Sequence, residues 1–188
     1  MMQISFVDII EFIGTFAFAI SGIRLASAKQ FDLFGAYVVG LVTAIGGENS
    51  VGGEARFERD VLSLRPDVLT VDYSLNDRAV GLESAEKAWC SMIEKALEYG
   101  TKVILCTPTW DNSYYKQNEK WEALVRHAEQ VRMLADRYDL GLADSFKAFE
   151  KHISEPSDLA KYLSHVNHPT EAGHALVADE IAKYFIAR

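Results

Sequence analysis

The chain is poor in residues that staple or break a fold: its 188 residues include two cysteines and four prolines. Cys90 and Cys106 cannot build a disulfide scaffold, and no zinc-type cysteine spacing is present, so two buried free thiols are the expected state. Positive charge is scarce. Nineteen Lys and Arg stand against 27 Asp and Glu, and the formal net charge of −8 repels phosphate backbones, which argues against nucleic-acid binding. Gly46-Gly47 and Gly52-Gly53 fit neither a Walker nor a dinucleotide pattern, so no nucleotide cofactor is expected. His165, His168 and His174 lack a carboxylate or fourth ligand at a typical spacing, so no metal is expected either. Internal repeats and low-complexity segments are absent.

Charge is scarcest in residues 1–47, where Asp8, Glu11, Arg24, Lys29 and Asp32 are the only charged side chains. Apolar runs from Ile4 to Ala28 and from Phe31 to Gly47 read as a helical hairpin. The first is long enough for a bilayer, which needs about 20 apolar residues, and the second is at the short limit. Gly14, Ala17, Ser21, Gly35 and Gly40 supply the small residues that close packing in lipid requires. A cleaved signal peptide fits poorly, because no Lys or Arg precedes the first run and a second run follows. Glu11 reads either as a relay position or as an interfacial carboxylate. Arg24 and Lys29 in the connecting loop favour a cytoplasmic loop, which puts the rest of the chain on the extracytoplasmic side of a membrane.

After Gly53 the pattern becomes that of an α/β domain. Phe57, Val61 and Leu62 mark a short helix stopped ahead of Pro66, and residues 67–73 form a strand candidate rich in β-branched residues. Trp89, Met92, Ile93, Ala96 and Leu97 repeat at helical spacing up to Gly100. Residues 102–107 form a second buried strand. Trp121, Leu124, Val125, Ala128, Val131, Ala135 and Tyr138 line a long helix, and Leu140 to Ala143 a last short strand. Leu176, Val177, Ile181, Tyr184 and Phe185 face one way on a closing helix. Alternating strands and helices predict a three-layer α/β domain with a parallel sheet, whose chemistry gathers at the carboxyl ends of the strands.

Two residues at that edge carry chemistry. Asn76 follows the first strand candidate, where its amide can donate to an oxyanion, although Asn-Asp is also ordinary turn chemistry. Pro169 keeps His168 out of a helix and Thr170 caps the helix that follows, leaving an imidazole suited to general-base work on a fixed loop.

Gly47-Glu48-Asn49-Ser50, Ser74-Leu75-Asn76-Asp77 and His165-Val166-Asn167-His168-Pro169, with Gly81-Leu82-Glu83 and Thr107-Pro108-Thr109, resemble the SGNH (GDSL-type) esterase and lipase superfamily in order and spacing. The resemblance implies a flavodoxin-like fold over residues 48–188 and an ester hydrolase acting on a small ester or an acylated carbohydrate. It implies Gly47 as a backbone oxyanion donor, Asn76 as a side-chain donor and His168 as the base. Three positions depart from the pattern. Ser74 replaces a Gly. His165 replaces the Asp that orients the base, leaving Asp158 or a backbone carbonyl for that task. The nucleophile's Gly-Asp-Ser place holds Gly14-Thr15-Phe16, and a phenylalanine cannot attack a carbonyl. Ser50 is close to Gly47, but its place in the family is not the nucleophile's.

Residues 1–47 resemble a second family. Glu11-Phe12-Ile13-Gly14-Thr15, Ser21-Gly22, residues 31–36 and Val42-Thr43-Ala44-Ile45-Gly46-Gly47 look like the opening of bacterial relatives of trimeric intracellular cation channels. The expectation is therefore a fusion at the shared Ala-Ile-Gly-Gly segment. An apolar membrane hairpin, 1–47, precedes an SGNH-like domain, 48–188, that lacks its first strand and its serine. Residues 38–45 fit either a helix or the missing second strand. The rival readings are a fragment of a channel-like membrane protein and a non-catalytic carbohydrate-binding module.

Overall fold

The structure, a computed structural model, describes residues 47–185. The expected hairpin, Glu11, the Gly14-Thr15-Phe16 site and the alternatives for residues 38–45 lie outside the described residues. Glu48–Arg188 forms one compact unit. Among the described residues no helix is long and apolar enough to cross a membrane.

The chain runs through α1 (Ser50–Asp60), β1 (Val68–Val71), α2 (Gly81–Glu98), β2 (Lys102–Cys106), α3 (Glu119–Arg137) and β3 (Gly141–Ala143). It ends in α4 (Ser145–His152), the short α5 (Leu159–Tyr162) and α6 (Glu171–Ala182). The three strands are parallel in the order β1-β2-β3, with Leu69 opposite Val103 and Leu105 opposite Leu142. Parallel pairing demands a crossover between neighbours, and α2 and α3 supply it.

The strands read as continuous apolar runs because both faces are covered. Val103 and Leu105 of β2 join Leu69 and Val71 of β1 against Phe57, Trp89, Met92, Ile93, Val131 and Leu134 from α1, α2 and α3. The alternate residues Ile104 and Cys106 point to the opposite face, where Ala143 and Ile181 of α6 meet them. This is the expected three-layer architecture. A further cluster joins Trp110 and Leu124 to Phe146, Phe149, Leu159 and Tyr162 under the loop that carries His168.

Helix ends follow local chemistry. Asn49 caps α1 by accepting from the Gly52 amide at 3.1 Å, Asn118 caps α3 and Asp144 caps α4. Gly100 closes the α2–β2 connection at φ +76°, where a side chain would be strained. The closing helix is shorter than its apolar pattern. It ends at Ala182, and Tyr184 and Phe185 are exposed. Tyr184 has another role: its hydroxyl accepts from the Leu142 amide at 2.6 Å and donates to the Leu142 carbonyl at 3.0 Å. The outer edge of β3 is thereby satisfied by a phenol rather than left open. Among the described residues β1 pairs with β2 alone.

Candidate active site

The site grows from the turn after β1. The Asn76 and Asp77 amides both donate to the Tyr73 carbonyl, at 2.9 and 3.0 Å, and Asp77–Ala79 forms a single 3-10 turn. Asn76 therefore stands at the head of that turn, five residues beyond the end of β1. Its side-chain amide donates to the Glu48 carbonyl at 2.9 Å, which brings it to the residue bonded directly to Gly47. An amide nitrogen carries two hydrogens, so one remains for a ligand. Gly47 has φ +79° with open space where a side chain would stand, a conformation that suits glycine.

Asp77 locks this arrangement, a role the sequence reading did not assign. It is fully buried. One carboxylate oxygen accepts from the Ser50 amide at 2.7 Å and the other from the Trp89 indole at 2.7 Å. The first bond ties the start of α1 to the Asn76 turn, and the second ties both to α2. Glu48 is held from its other side by Arg56, whose Nε lies 3.0 and 2.9 Å from the two carboxylate oxygens. That pairing holds the Arg56 guanidinium above its ordinary range, with burial opposing it.

His168 sits on a loop fixed by its own backbone. Its carbonyl accepts from the Ser164 amide at 2.8 Å and the Ser164 hydroxyl at 3.0 Å, and Leu163 and Pro169 form an antiparallel bridge. Thr170 caps α6 as expected, accepting from the Gly173 amide at 3.2 Å. The imidazole itself is exposed. A chain of bonds runs from this loop to the Asn76 turn. The Asn112 amide donates to the Val166 carbonyl at 2.8 Å. Neighbouring Asp111 pairs with Arg78 at 2.8 Å, and Arg78 Nε donates to the Leu75 carbonyl at 3.0 Å. Arg78 and Asp111 were also missed from sequence, since they stand 33 positions apart and share no motif.

The expected substitutes for the missing groups are otherwise engaged. The His165 and His168 ring centroids are 6.5 Å apart, too far for a direct hydrogen bond between ring nitrogens. Asp158 accepts from the Ser154 and Glu155 amides at 2.9 and 3.1 Å, committing one oxygen to a local cap. Among the described residues no side chain hydrogen-bonds the His168 ring. Ser50 is fully buried, which withholds its hydroxyl from an incoming ester. Cys106 is buried at the carboxyl end of β2, and burial pushes its thiol well above the usual range, away from a reactive thiolate. No group of three His, Cys, Asp or Glu among the described residues could hold a metal ion.

Comparison with known proteins extends this geometry. An acetylxylan esterase from Geobacillus stearothermophilus superposes with a TM-score of 0.67 at 22% identity, over 84% of this chain and 83% of that one. A second acetyl xylan esterase gives a TM-score of 0.67 at 26% identity, over 76% of this chain and 78% of its own. Curated relatives match a short segment only. A UPF0126 membrane protein of Deinococcus radiodurans is 55% identical over 38 residues, and one of Bacillus subtilis is 42% identical over 40. The chain spans about a fifth of the length of these relatives, 18% and 20%. The profile of the GDSL-like lipase/acylhydrolase family matches residues 23–176, and with most of its length so matched the chain belongs to that family.

Proposed function

We propose that the chain is an ester hydrolase acting on acyl groups of a carbohydrate or small ester, impaired by the loss of its nucleophilic serine. In this reading Gly47 and Asn76 donate to the oxyanion, and His168 acts as a general base on water. The observation that supports it is the 2.9 Å bond from the Asn76 side-chain amide to the Glu48 carbonyl, which fixes the amide and leaves its second hydrogen for a ligand. Xylan esterases among the structural neighbours support an acetylated carbohydrate as the substrate class. With Phe16 in the serine's place no acyl-enzyme forms, and the remaining route is slow direct attack by a water that His168 deprotonates while the oxyanion donors hold the carbonyl.

The domain is tethered by residues 1–47 and stands outside the cytoplasm. The two apolar runs and the short match to UPF0126 membrane proteins support the tether. That match also favours the rival reading, a fragment of a channel-like membrane protein carrying the hydrolase fold as a passenger. Single-channel recording of the full chain in a lipid bilayer tests the rival, which absence of conductance rejects.

Acetate release from acetylated xylo-oligosaccharide tests the enzymatic reading. The full chain should release acetate slowly, and His168→Ala should abolish the release. Equal rates in the two proteins would remove the catalytic claim and leave a binding module.

A further inference from the structure

Three hydrogen bonds lead from the turn that carries Asn76 to the loop that carries His168. Arg78 Nε donates to the Leu75 carbonyl at 3.0 Å, and its Nη2 donates to Asp111 Oδ2 at 2.8 Å. The amide of the next residue, Asn112, donates to the Val166 carbonyl at 2.8 Å. Leu75 is bonded directly to Asn76, and Val166 stands shortly before His168 in the same loop.

Each joint is rigid. A guanidinium is a planar fork, and its third nitrogen is engaged as well, donating to the Lys120 carbonyl of α3 at 3.2 Å. Asp111 is held on its other oxygen by the Ser113 amide at 3.0 Å and by the Ser113 hydroxyl. The Arg78 and Asp111 side chains are 19% and 5% exposed, so solvent screens the pair little.

The His168 loop has no second link of this kind. Among the described residues, the remaining hydrogen bonds of residues 163–170 close the loop on itself or tie it to α5 and α6. Leu75 and Leu163 pack into one apolar cluster with Trp110. Apolar contact is non-directional, so it does not fix how one segment is set against the other.

We propose that Arg78 and Asp111 are positioning residues, whose ion pair holds the His168 loop at a fixed setting from the Asn76 amide. The inference rests on the proposed hydrolysis, in which these two groups serve one carbonyl. A displacement of about 1 Å between them would cost up to about a hundredfold in rate.

The test compares Arg78→Lys, which keeps the charge and loses the fork, with Asp111→Asn, which keeps the shape and loses the charge. Both are followed by NMR and by p-nitrophenyl acetate hydrolysis. Each should shift the His168 imidazole signal as well as the Asn76 side-chain amide, whereas a prop of the Asn76 turn alone would shift only the second. The kcat should fall about tenfold or more, with KM within about twofold. Lys87→Ala, which breaks an exposed ion pair on α2, should change neither signal and neither constant. Ser113→Ala removes one donor to Asp111, should move the His168 signal in the same direction, and carries the NMR test if the stronger variants do not fold. The proposal fails if the His168 signal stays in place in the folded variants, or if kcat is unchanged while His168→Ala abolishes hydrolysis. Absence of His168-dependent hydrolysis in the unaltered chain overturns the hydrolytic reading instead, and the strut then stands or falls on the His168 signal.

Discussion

The buried carboxylate of Asp77 bonds the backbone amide of Ser50, 27 positions away, at 2.7 Å. That bond joins the start of α1 to the turn carrying Asn76, and the placement of the proposed side-chain donor depends on it.

Asp77→Ala should therefore be among the most destabilising changes in the chain. It strands the Ser50 amide and the Trp89 indole, each of which donates to a buried carboxylate. Two charge-assisted bonds lost together cost about 3 kcal/mol or more. Urea unfolding followed by Trp fluorescence measures this, and a loss below about 1 kcal/mol would show that the clamp carries no load.

Gly173→Ala should disturb the His168 loop without touching the histidine. A methyl group there would stand 2.3 Å from the Tyr162 carbonyl and 2.9 Å from the Pro169 ring. The backbone contact cannot be relieved by rotating a side chain, so the loop and α6 must separate, at a cost of about 1–3 kcal/mol. Thermal unfolding and the His168 imidazole NMR signal report the two effects. An unchanged signal would mean that the loop is not braced by α6.

Tyr184→Phe removes the phenol that satisfies the outer edge of β3. The expected loss is about 1 kcal/mol, with faster hydrogen exchange at the Leu142 amide. Exchange at the unaltered rate would show that the edge is protected by something else.

Acid should weaken the fold through His127. Burial lowers its pKa below the ordinary histidine value, while the charge of Asp77 opposes that shift. A depressed histidine pKa means that the unfolded chain binds the proton first. The contribution is complete above the unfolded value of about 6.5 and is lost as pH falls from there through the folded value. Urea midpoints should drop between about pH 7.5 and 5.5, and His127→Gln should narrow that drop. An equal drop in the variant would assign the titration to other groups.

The strands and long helices were legible in the sequence because their signals are local. Residues 67–73 and 102–107 are apolar and β-branched, as strands covered on both faces must be, and Trp89 to Ala96 repeat at helical spacing. α4 was missed because an eight-residue helix gives only one repeat, Phe146 to Phe149, behind the Asp144 cap. Tyr184 and Phe185 extended the helical spacing past the true end of α6 at Ala182, since apolar spacing cannot distinguish a helical turn from a strand-edge contact. Within the candidate site, Asn76 and His168 were proposed from motifs. Asp77, Arg78 and Asp111 were not, because their partners are distant in sequence and their roles exist only once the sheet is formed.

The most direct test of the account is a double-mutant cycle on p-nitrophenyl acetate hydrolysis with Asn76→Ala, His168→Ala and the double variant. If the oxyanion donor and the base serve one reacting carbonyl, each single change should bring the slow rate of the full chain to the buffer background, and the double change should cost no more than either alone. Rates in the single variants equal to that of the unaltered chain, or losses that simply add, would contradict a shared site.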